Sequence, residues 1–129
     1  MSKSAVRTDK APAPFQGAPY NQAIVSGGFV FVSGQGSLDA ASGKIVEGDV
    51  RAQTQKTFDN LAAILEAAGS SLDRVVKTTV FMADLSQFAE MNAVYAERMG
   101  QPFPARSTIQ AAALPGGIGV EIEVIAEAP

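Results

Sequence analysis

The run VVKTTVFMADLSQFAEMNAVYAERMG, residues 75–100, decides the fold. Val75 to Met82 is rich in Val, Thr and Phe, with Lys77 as its only charge, the composition of a central strand. The period then changes: Phe88, Met91, Tyr95 and Met99 recur at helical spacing, Asp84 with Gln87 three residues on is a capping-box-like start, and Gly100 is a stop. A strand leading directly into an amphipathic helix calls for a sheet with helices laid on it.

Upstream, Asp49 is the expected N-cap of a longer helix whose inner positions are Val50, Thr54, Thr57, Phe58, Leu61, Ile64, Leu65 and Ala68, with Gly69 ending it. Ala23-Ile24-Val25 and Phe29 to Ser33, separated by Ser26-Gly27-Gly28, read as a hairpin, and Lys44-Ile45-Val46 as a minor strand. Residues 1–19, polar and broken by three prolines, read as an extended lead-in, so the fold is expected to begin near Tyr20. Downstream of the break at Pro102-Phe103-Pro104, the runs Ala105 to Leu114 and Val120 to Ala126 are expected to pair as a second hairpin across Leu114-Pro115-Gly116-Gly117-Ile118.

The order β-β-(β)-α-β-α-β-β has no internal repeat and fits one α+β domain over residues 1–129, a mixed sheet with two helices on one face. Two helices cannot cover both faces, and strands this apolar would leave a large exposed patch. The sequence therefore predicts self-association through the second face.

Composition narrows the chemistry. The chain has no cysteine and no histidine, which excludes thiol nucleophiles, disulfides, Ser-His-Asp triads and the usual zinc ligands. Catalysis would rest on carboxylates, Arg, Lys, Tyr, hydroxyls and backbone groups. With 10 Lys and Arg against 13 Asp and Glu, and no basic run, nucleic acid is not the expected partner. The N-terminal stretch has no apolar run suited to a signal peptide or membrane span, so a cytoplasmic protein without a membrane partner is expected.

Among the candidate site residues, Arg106 stands just after the proline-fixed segment and offers a planar fork suited to a carboxylate, or else is a structural ion-pair partner or a snorkelling surface side chain. Period two places Arg106, Thr108 and Gln110 on one face of their strand, and Glu121 and Glu123 opposite Val120, Ile122 and Val124 on theirs. The glutamates could provide a general base or only a solvated face. With Gly116 and Gly117 as turn residues, Glu121 would face Ala112, some 20 Å from Arg106 by strand rise, so a site using both must lie between subunits. Asn92 within the apolar stripe reads as a hydrogen-bonded clamp on a loop, and Tyr20 as either a phenol over a pocket or edge packing. Ser33-Gly34-Gln35-Gly36 opens no helix, so it is read as a strand-ending turn exposing backbone N–H groups rather than a dinucleotide fingerprint.

Gly17 to Ala23, Phe31 to Gln35, Val76 to Phe81, Asn92 to Tyr95 and Phe103 to Ser107 together resemble the Rid (reactive intermediate/imine deaminase) family, over about Tyr20 to Ala126. The resemblance implies a chorismate-mutase-like fold, a homotrimer with clefts between adjacent subunits, and hydrolysis of 2-imino acids such as 2-iminopropanoate and 2-iminobutanoate to 2-keto acids and ammonia, without metal or organic cofactor. By the same resemblance Arg106 grips the substrate carboxylate and Glu121 is the family glutamate. Tyr20, Ser33 and Asn92 match motif positions, Gly34 lies in the Ser-Gly turn, and the backbone at Thr108 holds the imino nitrogen. Ala18 stands where many members have glycine, and Thr108 where many have cysteine. Rival readings are a non-catalytic regulator that binds small carboxylates on the same fold, an endoribonuclease, and a holdase-like chaperone.

Overall fold

The computed structural model describes residues 2–129. Six strands form one sheet: β1 (Ser4–Val6), β2 (Ala23–Ser26), β3 (Phe29–Gln35), β4 (Val75–Met82), β5 (Ala105–Gln110) and β6 (Val120–Glu127), in the order β1-β2-β3-β6-β4-β5. Two helices, α1 (Val50–Ala67) and α2 (Phe88–Arg98), cover one face. Asp49 caps α1 by accepting the Ala52 N–H at 2.9 Å, which stabilises the helix start by about 1 kcal/mol. At its other end Gly69, at φ 79°, lets the Ser70 N–H return to the Leu65 carbonyl at 2.8 Å.

Phe58, Leu61, Ile64 and Leu65 of α1 pack with Val30 and Val32 of β3, Val80 and Met82 of β4, and Val120, Ile122 and Val124 of β6. Asn60, buried among them, donates to the carbonyls of Gly36 and Leu38 at 3.0 and 2.9 Å, so α1 pins the loop that leaves β3. Among the described residues the other face carries no helix. Phe29, Phe31 and Ile109 are 40%, 44% and 48% exposed there, as the alternation of their strands requires. Among the described residues no helix is long and apolar enough to cross a membrane.

Three sequence expectations are corrected. The fold begins well before Tyr20: β1 pairs antiparallel with β2 from Ser4↔Val25 to Val6↔Ala23. Val6 and Ala11 are buried, and the Gln22 side chain ties down this segment by bonding Thr8, Ala11 and Pro12. The strand is short, Ser4-Ala5-Val6, and buries only Val6, too little for a period to show in the sequence. The second hairpin does not form. β5 lies parallel to β4 at the sheet edge, from Lys77↔Ala105 to Met82↔Gln110, while β6 runs antiparallel between β3 and β4. The glycine-rich segment folds as a 3₁₀ turn over Pro115–Gly117 and carries the chain over β4. β6, the more apolar run, takes the central position, and β5, polar on alternate residues, the edge. Lys44 to Val46 contributes only an isolated bridge, Leu38↔Ile45.

Candidate functional site

The corrected register changes how Arg106 and Glu121 are related. Arg106 aligns with Thr78 and Val124, both buried beneath the helices, whereas Glu121 aligns with Phe81 and Ile109 on the uncovered face. The two side chains therefore leave the sheet on opposite sides. They are also separated by two strand spacings and three residues of rise, roughly 10 Å in each direction. The Glu121–Ala112 pairing is absent, but separation of the two residues within one chain stands for this different reason.

One group gathers at β6 and the end of β3. Between Val32 and Gln35 the β3–β6 register slips, leaving Ser33 and Gly34 in a bulge. Glu121 lies against Gly34 so closely that a Cβ there would overlap its carboxylate. Burial, then the neighbouring Glu123, raises the Glu121 carboxyl above its ordinary range. The Ser33 hydroxyl donates to the Asn21 carbonyl at 2.6 Å, leaving Ser33 Oγ only lone pairs for a ligand. Tyr20 follows from the same segment. Tyr20 is 41% exposed and its hydroxyl accepts the Phe15 N–H at 2.6 Å, which tethers the phenol to the N-terminal segment.

The second group lies where α2 crosses β5. Arg106 lines a half-open cavity of about 320 Å³ with Asn92, Tyr95, Ala96, Phe103 and Pro104. Its Cζ sits 4.7 Å from the Tyr95 ring centroid and 5.5 Å from that of Phe88. Among the described residues no carboxylate pairs with it, so the structural ion-pair reading fails. Asn92 corrects another expectation: it makes no hydrogen bond among the described residues and lines this cavity, while the buried clamp on a loop is Asn60. Thr108 shares the Arg106 face, and its Oγ1 is enclosed without a partner. The sequence reading missed Tyr95 and Phe88 as neighbours of Arg106, because a helical stripe records burial and not what the rings touch. A larger cavity of about 370 Å³ under the N-terminal segment holds Gln22, whose amide is fully bonded, and is structural in character.

The two groups thus differ in chemistry: a guanidinium without an acidic partner beside apolar walls, and a carboxyl with raised proton affinity beside a strand bulge. Among the described residues no group of three or more acidic side chains could hold a metal ion.

Comparison with known proteins gives concordant results. The family model described as "Endoribonuclease L-PSP" matches residues 8–128. A RutC family protein of Pyrococcus abyssi is 47% identical, covering 98% of each chain. The 2-iminobutanoate/2-iminopropanoate deaminase of Bos taurus is 42% identical over 98% of this chain and 90% of its own. The crystal structure of E. coli TdcF with bound serine superposes with a TM-score of 0.88 at 36% identity, covering 98% and 99% of the two chains.

Proposed function

Because this chain belongs to the Rid family, we propose that it hydrolyses 2-imino acids, such as 2-iminopropanoate and 2-iminobutanoate, to 2-keto acids and ammonia in clefts between the subunits of a homotrimer. The observation that carries this reading is Arg106, a guanidinium without an acidic partner facing a cavity of metabolite size. A 2-imino acid brings the carboxylate that such a fork is built to hold. The bovine relative's name and the serine held by the E. coli protein support a substrate derived from an amino acid.

The reaction needs one water. Its oxygen adds to the imine carbon while one of its protons passes by way of the Glu121 carboxylate to the imino nitrogen; the carbinolamine's hydroxyl proton then follows the same route to nitrogen, the C–N bond breaks, and ammonia leaves as the carbonyl forms. Burial raises the proton affinity of this carboxyl, which makes it a better base for taking that proton. Ser33 Oγ accepts a hydrogen bond from the imino N–H, backbone groups at Gly34 and Thr108 flank the reacting atoms, and Tyr20 and Asn92 close the cleft. Arg106 and Glu121 leave opposite faces, so one copy must present the first group to the second group of its neighbour. Two different patches in contact define a head-to-tail interface, which closes as a ring, and the exposed Phe29, Phe31 and Ile109 supply apolar area for it. A cytoplasmic setting, where dehydratases acting on serine and threonine release such imines, belongs to the same reading.

The family model's name raises ribonuclease activity, but a chain of net charge −3 without histidine offers an RNA backbone neither counter-charge nor the usual acid–base pair. The test is a coupled assay in which a dehydratase generates the imine and keto acid formation is timed with and without the protein, alongside light scattering. Acceleration by a trimer is expected. Binding of 2-keto acid without acceleration would make the protein a carboxylate-binding regulator, and a monomer would remove the intersubunit site.

A further inference from the structure

We propose that Phe88 and Tyr95 form an aromatic clamp that positions Arg106, holding the guanidinium by its face so that none of its N–H donors is spent within the chain. The proposal rests on the reading that Arg106 grips a carboxylate. Three of the other four arginines of this chain are held through their donors: Arg51 by Glu90, Arg74 by the carbonyls of Glu127 and Ala128, and Arg98 by Asp59 and Gln55, although its Cζ also lies 5.7 Å from the Phe58 ring centroid; Arg7 has neither a ring nor a partner among the described residues. Each such partner would compete with a ligand. Arg106 instead has two rings, at 4.7 and 5.5 Å from its Cζ. A ring attracts a cation through its π face and leaves the N–H edge open, which is what a carboxylate-binding arginine needs.

The two jaws differ in rigidity. Tyr95 is buried, its ring edge-on to Phe58 at 5.7 Å, and its hydroxyl lies 2.8 Å from Thr78 Oγ1. Thr78 is the residue of β4 in register with Arg106, so the same sheet row that carries the arginine also locks the ring beneath it. Phe88, in the first turn of α2, is 39% exposed and makes the outer jaw, 5.5 Å from the Arg106 Cζ. Both rings are therefore positioning residues, acting on a ligand through Arg106.

The experiment compares wild type with Phe88→Ala, Phe88→Tyr and Tyr95→Leu. Three quantities are read: the Arg106 Nε–H resonance in the ligand-free protein, the dissociation constant for 2-oxobutanoate, and the melting temperature. Phe88→Ala should move the resonance away from its ring-shifted position and weaken 2-oxobutanoate by roughly three- to tenfold, with the melting temperature nearly unchanged because the ring is exposed. Phe88→Tyr should restore both values. Tyr95→Leu should move the resonance further; if that variant does not fold, the Phe88 pair still decides. An unmoved resonance and unchanged affinity in Phe88→Ala would overturn the clamp, as would equal loss in Phe88→Tyr. The resonance is read without ligand or turnover, so a protein that hydrolyses no imine can still support the clamp, and an active one can refute it.

Discussion

Gly34→Ala places a methyl group against the carboxylate of Glu121 and so tests the site without deleting any functional group. A Cβ at Gly34 would overlap Glu121 Oε2 and lie 2.9 Å from Cδ and 3.1 Å from Cγ. Ordinary contacts between such atoms are about 3.5–4.0 Å, so the carboxylate must withdraw by about 1 Å. It can do so, being the free end of a flexible side chain, for about 0.5–1.5 kcal/mol of rotamer strain. Gly34 lies outside the positive-φ region, so alanine fits its backbone and returns about 0.4–1 kcal/mol through the unfolded chain. The two terms nearly cancel, and the melting temperature should move by no more than about 4 °C. A reacting group displaced by about 1 Å can lose on the order of a hundredfold in rate. Initial rates in the dehydratase-coupled assay, set beside thermal melts, separate the two effects. A rate within about threefold of wild type would refute the working position assigned to Glu121. A melting temperature lowered by more than about 10 °C would refute the claim that its end can yield.

Arg106→Lys should lose roughly ten- to a hundredfold in kcat/KM on 2-iminopropanoate, nearly as much as Arg106→Ala, because a point charge cannot make two parallel bonds to a carboxylate; full efficiency in the lysine variant would sink the fork. The acid limb of the pH–rate profile should lie above the ordinary carboxylate range, since burial and then Glu123 raise the Glu121 carboxyl, and Glu123→Gln should shift that limb to lower pH. A folded-state value above the unfolded one means that ionisation of Glu121 opposes folding as pH rises through that window, so Glu121→Gln should lower turnover yet leave the melting temperature at neutral pH equal or higher. Asn60→Ala strips the buried carbonyls of Gly36 and Leu38 of a donor and should cost roughly 2–4 kcal/mol in urea denaturation.

The elements that sequence made legible are those with a strong local signal. Asp49 and Gly69 bracket α1, Val75 to Met82 is β4 in full, and the hairpin of β2 and β3 follows from its glycine turn. Alternation also assigned the faces within β5 and β6. What it could not supply was which strand lies beside which, because a strand's side chains record burial and not the identity of its neighbour. Pro115-Gly116-Gly117 carries turn chemistry whether it closes a hairpin or carries the chain across β4, and the adjacent-pairing rule favoured the wrong choice. The candidate site residues came from motif resemblance. Their separation onto two faces, and the partners of Arg106, needed the register of β4 with both β5 and β6.

Because Arg106 and Glu121 leave opposite faces of the sheet, the site we propose is a property of a junction between copies and not of a chain. In a head-to-tail ring each copy lends its arginine to one neighbour and its glutamate to the other. Two inactive proteins, Arg106→Ala and Glu121→Gln, refolded together at equal amounts should then regain activity, since about one junction in four joins an intact arginine to an intact glutamate under random mixing. A chain bearing both substitutions would do the reverse. Mixed with wild type it would silence the junction on each of its sides, so the share of activity lost would exceed the share of altered chains.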